Sequence, residues 1–220
     1  MFETTVTLDQ FLQAMIDTFY MVGFSLLIGS LIGIPLGILL VATRPGGIMQ
    51  NKIIFNILNP IINMFRSLPF IILLVAIIPF TKLIVNTSIG TAAAIVPLTI
   101  YVAPFIARLV ENSILEVDEG IIEAALSMGA TPIQTIWHFM LPEALGSLIL
   151  SLTTATISLL SATAMAGAVG GGGVGDLAIS YGYERFDSFI MLVTVIVLII
   201  FVQVMQSIGN WLAKKVRREL

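Results

Sequence analysis

ENSILEVDEGIIEAALSMGATPIQTIWHFMLPE, residues 111–143, is a polar insert in an otherwise strongly apolar chain. Asp118 places negative charge at the start of a short helix, where the helix dipole favours it, and Gly129 supplies the left-handed residue that ends this helix. Thr131 begins a second helix as its N-cap, and Gln134 completes a capping box. The insert is therefore predicted to fold as a helix–turn–helix hairpin, and it is too long for a passive connection.

The second helix of this hairpin has a proline, Pro132, at its first position, where a missing N–H costs no helix hydrogen bond. We expect this helix to run to Met140. Leu141 and Pro142 are then expected to turn the chain back towards the apolar segment that follows.

The composition of the whole chain is that of an integral membrane protein. Of its 220 residues, 58% are hydrophobic and 10% are charged, whereas roughly a quarter of the residues of soluble domains are charged. The sequence has no cysteine and one histidine, which argues against a disulfide framework and against a metal site in this chain. No basic residue precedes the first apolar segment, so we expect this segment to remain as a span and not to be a cleaved signal peptide.

Five apolar segments are long enough to cross a bilayer, since a spanning helix needs about 20 residues. They are residues 17–42, 58–80, 88–108, 144–167 and 188–211. We therefore predict an all-α integral membrane protein with five transmembrane helices. We expect residues 1–220 to form a single transmembrane domain, with residues 111–143 as its large polar loop.

Positive charge is unevenly divided between the two ends of these segments. If the N-terminus lies outside, only Lys82 and Arg185 remain on the outer side. The cytoplasmic side then holds Arg44, Lys52, Arg108, Lys214, Lys215, Arg217 and Arg218. The positive-inside rule therefore predicts an external N-terminus, with the C-terminus and residues 111–143 in the cytoplasm.

The second segment carries a polar seam, because Asn56, Asn59, Asn63 and Arg66 recur at helical spacing. An arginine in or near a span is costly, so Arg66 is a candidate functional residue that we assign to the substrate pathway. The alternative is an interfacial amphipathic helix over residues 51–65, with Arg66 reaching to the lipid headgroups.

The fourth segment carries a stripe of hydroxyl groups that ends in a thioether. Its members share one helix face and are Ser147, Ser151, Thr154, Ser158, Ser161 and Met165. Such a stripe can line a route for a small zwitterion with an apolar side chain. The alternative is that these hydroxyls bond their own helix or hold neighbouring helices together.

Small residues also recur at every fourth position of the first segment, at Ser25, Gly29, Gly33 and Gly37. We interpret this face as a surface on which another helix packs closely. The glycine-rich stretch 170–175 follows a span and not a strand, so we interpret it as an outer turn and not as a phosphate site.

Two absences narrow the class of function. No Asp or Glu lies between Asp17 and Glu111, which disfavours an ion-coupled carrier, since such carriers need ionisable groups at bilayer depth. The sequence also has no P-loop motif. We therefore expect no catalytic residue here and a separate source of energy for any transport.

The polar insert resembles the EAA motif of permease subunits of binding-protein-dependent ABC importers. Phe139 stands where that family has isoleucine. The resemblance implies a type I importer permease fold and a docking site for a separate ATPase. The docking residues it implies are Glu123, Ala124, Ala125, Gly129, Ala130, Thr131, Pro132, Leu141 and Pro142.

Four further runs, 66–71, 104–108, 129–132 and 164–170, are similar to the methionine-uptake branch of this family. This resemblance extends from about residue 11 to the end. It implies import of L-methionine, and also of D-methionine, across the bacterial cytoplasmic (inner) membrane. The alternatives are a permease for another small amino acid and a stand-alone channel or ion-coupled carrier.

The same resemblance implies an assembly. Two copies of the chain would form a homodimer on two ABC ATPase subunits, and an extracytoplasmic methionine-binding protein would deliver substrate. ATP and Mg²⁺ would be bound by the ATPase, so we expect no cofactor in this chain. We expect contacts with membrane lipid, including lipid anchoring of the basic tail after Trp211, and none with nucleic acid.

Overall fold

The computed structural model describes residues 6–219, and for the last two of these it describes only the backbone. This part of the chain is helical and contains no strand. The α-helices are α1 (Leu8–Thr43), α2 (Lys52–Ser67), α3 (Phe70–Ala76), α4 (Ile78–Val85), α5 (Thr91–Leu115), α6 (Glu119–Ser127), α7 (Pro132–Thr135), α8 (Leu141–Ala166), α9 (Val174–Asp176) and α10 (Ser188–Glu219). Wider π-type turns occupy Ile136–Met140, Gly167–Gly171 and Leu177–Tyr183.

Within residues 6–219, four stretches of helix are long and apolar enough to cross a membrane, which confirms the prediction of an all-α membrane protein. They are Leu8–Thr43, Thr91–Leu115, Pro132–Gly171 and Ser188–Arg217. A fifth span exists if α2 and α3 are counted as one bent pair.

The predicted span over residues 58–80 is not one continuous helix. Helices α2 and α3 meet at an angle of 102°. Pro69 stands at the N-cap of α3, and a proline restricts the residue before it to extended conformations, which ends α2. Helix α2, with 16 residues from Lys52 to Ser67, corresponds to the amphipathic helix over residues 51–65 that was the alternative interpretation of this segment.

The chain groups into two compact units. The first contains the chain up to Gly29, together with Leu68–Val102 and Ala155–Met205. The second contains Ser30–Ser67, Ala103–Thr154 and the chain from Gln206 onwards, and therefore holds the whole polar insert.

The second unit depends on the close approach of α1 and α5 at two glycines. A Cβ atom built on Gly33 would lie 2.5 Å from the carbonyl oxygen of Ala103, and one built on Gly37 would lie 2.5 Å from that of Ala107. Ala107 also belongs to a buried apolar cluster with α1 and α2. The small-residue face of α1 is therefore a packing surface at both glycines, as predicted.

The first unit is tied together around the glycine-rich turn. Gly170 has φ +86°, and its carbonyl accepts a hydrogen bond from the N–H of Gly90 at 2.8 Å. The N–H of Val174 donates to Oγ1 of Thr18 at 2.9 Å, and this bond is buried. The chain that follows is helical up to Tyr183.

Candidate functional site

The first helix of the polar insert is capped as the sequence predicts. The Asp118 carboxylate accepts a hydrogen bond from the N–H of Gly120 at 2.7 Å, which satisfies one of the free donors at the start of α6. Gly129 has φ +83°, and the N–H of Ala130 donates to the carbonyl of Ala125 at 3.1 Å. These bonds fix both ends of α6 and its exit into the turn.

The second helix begins with the predicted capping box. The N–H of Thr131 donates to Oε1 of Gln134 at 2.9 Å, and the N–H of Gln134 donates to Oγ1 of Thr131 at 3.4 Å. Pro132 occupies the first helical position. The two helices of the insert therefore form the hairpin that local sequence signals predict, with a defined turn between them.

The expected turn at Leu141 and Pro142 is wrong. Helix α7 continues through the π-type turn Ile136–Met140 directly into α8. The N–H of Leu141 reaches the carbonyl of Ile136, five residues back. This wider turn accommodates Pro142, which has no N–H to donate, so the hairpin is joined to a span by continuous helix.

The hairpin exposes large apolar side chains that the motif alone does not mark. Glu123 and Ala124 are exposed, whereas Ala125 is fully buried. The exposed apolar side chains are Leu126, Met128, Ile133 and Trp137. We call these four residues the apolar face of the hairpin. Contiguous exposed apolar groups mark an interaction surface. The spacing of four between Ile133 and Trp137 places these two side chains on one side of their helix, and it was the available sequence signal.

The base of the hairpin is polar and includes the end of α10. The hydroxyl of Ser147 donates to the carboxylate of Glu116 at 2.6 Å. Arg217 lies against Gly146, where an added Cβ atom would come within 2.7 Å of its Nε. Glu143 lines the same cavity as Arg217. The basic tail, which we assigned to lipid headgroups, therefore also has a contact within the protein.

Two members of the hydroxyl stripe on α8 join this helix to α5. The hydroxyl oxygens of Ser151 and Ser113 lie 2.8 Å apart, and those of Ser158 and Tyr101 lie 3.1 Å apart. Each pair is joined by one hydrogen bond. Ser151 and Ser158 therefore act as the second interpretation of the stripe predicts, because their hydroxyls hold neighbouring helices together.

Three other members of the stripe are exposed. The hydroxyls of Thr154 and Ser161 donate to backbone carbonyls of their own helix. Ser161 and Met165 line an open groove with Gln203, and the groove has a volume of about 520 Å³, which is within the ~300–1,000 Å³ of small-molecule sites. The remaining lining residues are Leu160, Ala164, Ile179, Leu198, Ile199 and Val202.

Arg66 lies exposed at the end of α2. Its pathway role stays a prediction. The asparagines before it, Asn59 and Asn63, instead bond Arg108 on α5. Sequence reasoning missed Arg108 as a site residue, because nothing local connects it to residues more than 40 positions earlier.

Comparison with known proteins identifies the family. Residues 29–218 match the family described as "Binding-protein-dependent transport system inner membrane component". The chain belongs to this family. It is therefore an inner-membrane permease component of a bacterial transport system, and the predicted localisation is confirmed.

Named relatives cover most of this permease. It is 52% identical over 208 residues to the probable D-methionine transport system permease protein MetI of Vibrio cholerae, covering 94% of this chain and 92% of the relative. It is 52% identical over 151 residues to D-methionine transport system permease protein MetI of Escherichia coli K12, covering 69% of this chain and 70% of the relative.

A solved structure has the same fold as this permease. A chain of the MetNI methionine ABC transporter, in an inward-facing conformation, superimposes with a TM-score of 0.94 at 44% identity, over 97% of this chain and 99% of that one. An amino acid ABC transporter with histidines, at 19% identity and a TM-score of 0.77, shares the fold. The predicted importer permease fold is confirmed.

Proposed function

We propose that this permease is the membrane subunit of an ATP-driven importer of methionine that accepts both the L and D forms. The names of the relatives support this substrate, since a permease 52% identical over nearly the whole chain is named for D-methionine transport. The likeness to a chain of a methionine ABC transporter also supports it. The substrate crosses the inner membrane through a path that the permease forms and an ATPase opens and closes.

The hairpin is the docking element for that ATPase, and its apolar face is the observation that carries this proposal. Leu126, Met128, Ile133 and Trp137 are exposed on the hairpin, and both of its helices begin at a capped N-terminus. A rigid element with an exposed apolar surface transmits motion from a partner without deforming. We assign docking to this face together with Glu123, Ala124, Ala125, Gly129, Ala130, Thr131, Pro132, Leu141 and Pro142.

The working assembly contains two copies of the permease and two ATPase subunits, and an extracytoplasmic methionine-binding protein delivers the substrate. ATP and Mg²⁺ bind to the ATPase, so this chain needs no cofactor. The N-terminus lies outside and the hairpin inside. ATP binding shifts the permease between inward and outward access by favouring one of two pre-existing states.

The exposed part of α8 is the part of the permease that the substrate meets. Thr154, Ser161 and Met165 remain accessible, and the groove at Ser161 and Met165 combines apolar walls with the amide of Gln203. Such a lining suits a zwitterion with a thioether side chain. Ser151 and Ser158 support this face by holding α8 on α5.

Reconstitution tests the transport proposal. Vesicles that hold the permease with its ATPase, and the binding protein outside, should accumulate labelled methionine only when ATP is inside. Uptake without ATP, or no methionine uptake with all components present and ATP hydrolysed, would contradict it. The same vesicles without ATPase serve as the control for passive or ion-driven movement.

Two tryptophans of similar exposure provide a test of docking. Trp137 on the hairpin is 60% exposed and Trp211 near the end of α10 is 62% exposed. Trp137→Ala should weaken ATPase binding by roughly tenfold or more, as expected for an aromatic residue at an interface centre. Trp211→Ala should leave binding unchanged. If the ATPase copurified equally with both variants, the assignment of Trp137 and its hairpin to the ATPase interface would be wrong.

A further inference from the structure

Arg108 joins α2 to the part of α5 that leads into the docking hairpin. Its Nη2 donates to Oδ1 of Asn59 at 2.7 Å and to Oδ1 of Asn63 at 2.8 Å. Its Nη1 donates to the carboxylate of Glu111 at 2.5 Å. The side chain of Arg108 is 17% exposed and that of Glu111 is 7% exposed, so the charged pair is largely shielded from solvent.

Apolar contacts already attach α2 to this unit without the network. Ile62 is buried in one cluster with Leu40 of α1 and Ala107 of α5. Burying an ion pair adds little net stability, because the lost hydration offsets the attraction between the charges. Apolar contacts tolerate rotation and sliding of a helix, whereas a planar guanidinium with several partners fixes direction. The network therefore supplies a defined orientation of α2 more than it supplies stability.

The two asparagines are well placed for that purpose. Asn59 and Asn63 stand one helical turn apart, and the amide of Asn63 lies 3.4 Å from Oδ1 of Asn59. One guanidinium nitrogen thus contacts two successive turns of α2. A shift of α2 along its axis, or a rotation about it, would break at least one of these bonds.

The network also lies close to the hairpin along the chain. Glu111 is four residues before the end of α5, and α6 begins at Glu119. A force applied to the hairpin therefore reaches Arg108 and Glu111 through one short connection. If α5 moves, α2 must either move with it or lose the hydrogen bonds to Arg108.

We propose that Arg108 is a positioning residue that makes α2 move as one body with α5 and the docking hairpin during transport. This inference rests on the proposed function, because it requires that the ATPase acts on the hairpin. Glu111 orients the guanidinium from the same helix, and Asn59 and Asn63 are the residues of α2 that bind it. Without these hydrogen bonds, ATP hydrolysis continues, but less of the movement of the hairpin is transmitted to the transport path.

The test uses the complete complex of permease, ATPase and binding protein in vesicles. The paired variant Asn59→Leu with Asn63→Leu keeps the side-chain size and removes both acceptors. It should raise the ATP hydrolysed per methionine imported by roughly threefold or more, in the range of coupling changes seen along such networks. Arg108→Gln and Glu111→Gln should act in the same direction. Asn56→Leu, an exposed asparagine of the same helix, should have no effect.

A distance measurement separates positioning from a merely structural role. The chain has no cysteine, so Ile53→Cys on α2 and Asn112→Cys on α5, both exposed, can carry a pair of spin labels. In the otherwise unchanged complex, the distribution of label-to-label distances should be narrow and should have the same mean with and without ATP. In the paired asparagine variant, this distribution should be broader and its mean should change when ATP binds.

Each outcome bears on the inference. A paired asparagine variant with unchanged coupling and unchanged label distances would overturn it, and so would a distance that changes with ATP in the otherwise unchanged complex. If Arg108→Gln does not assemble, the paired variant decides, since both asparagines lie at least partly in solvent. An unchanged complex that hydrolyses ATP and imports no methionine would instead overturn the proposed function.

Discussion

Gly129 holds a backbone conformation that side chains disfavour, in a place where a side chain would have room. Its φ is +83°, and nothing lies within 4 Å of a Cβ built on it. Gly129→Ala should therefore destabilise the hairpin only through backbone strain, by about 1–2 kcal/mol, and should weaken ATPase copurification. Gly129→Asn should be milder, because asparagine tolerates this region.

Gly90 is the matched control for this strain. It also has positive φ, at +96°, with no atom within 4 Å of an added Cβ, and it lies outside the hairpin. Gly90→Ala should lower thermal stability similarly while the ATPase still copurifies. Equal loss of ATPase from both variants would mean that general destabilisation, and not docking, explains the effect of Gly129. Gly129→Asp places a charge at the turn with less backbone strain than alanine, and it should abolish docking while the spans remain inserted.

The hydroxyls of α8 should separate into two groups on substitution. Ser151→Ala should lower stability, and a double-mutant cycle with Ser113→Ala should give about 0.6 kcal/mol, typical of hydrogen bonds between helices in membranes. Ser161→Ala and Met165→Asp should instead reduce methionine uptake with the complex still assembled. Unchanged uptake in the Met165→Asp variant would remove this residue from the path.

Residue-level predictions from sequence succeeded where the interaction was local. The caps at Asp118 and Thr131 involve partners two or three positions away, so the sequence pattern contains the whole interaction. The partners of Ser151 and Asn59 are 38 and 49 positions away. No periodicity within one helix selects such partners, since the choice depends on how helices pack.

At the scale of elements, α1 contains its own control for helix packing. Gly33→Ala would place a Cβ 2.5 Å from a backbone oxygen of α5, whereas a Cβ at Gly23 of the same helix meets nothing within 4 Å. Gly33→Ala should destabilise by about 1–3 kcal/mol, as overpacking does, and should lower the thermal midpoint of the purified permease. Gly23→Ala should be neutral or stabilising. Equal midpoints for the two variants would contradict the close packing of α1 on α5.

Element boundaries were predictable wherever one rule acted alone. Pro69 keeps the residue before it extended and so ends α2, but the size of the bend between α2 and α3 is absent from the sequence pattern. Pro142 did not end a helix, because the π-type turn before it changed the hydrogen-bond register. A proline therefore gives the position of a possible break, and neighbouring structure decides whether the break occurs.

At the scale of the whole molecule, two kinds of argument concern the same orientation. If the N-terminus lies outside, two basic residues lie outside and seven inside, with Arg66 left uncounted, and this count depends on the spans being counted correctly. The ATPase-docking proposal requires the hairpin to face the cytoplasm, where ATP is available. Both arguments require an odd number of membrane crossings between the N-terminus and the hairpin. The number is three if the bent pair α2 and α3 counts as one span, and two if it does not.

Labelling of single cysteines tests this orientation directly, since the chain has no cysteine of its own. Phe186→Cys, between Tyr183 and α10, replaces a side chain that is 85% exposed, and Met128→Cys lies on the hairpin. A membrane-impermeant maleimide added to intact spheroplasts should label position 186 and should reach position 128 only after permeabilisation. Gln50→Cys, exposed between α1 and α2, should behave like position 128 and controls for shielding of the hairpin by the ATPase.

Labelling of positions 50 and 128 in intact spheroplasts, with position 186 protected, would show that the orientation is the reverse of the predicted one. The hairpin would then lie on the side without ATP, and the docking proposal would fail with it.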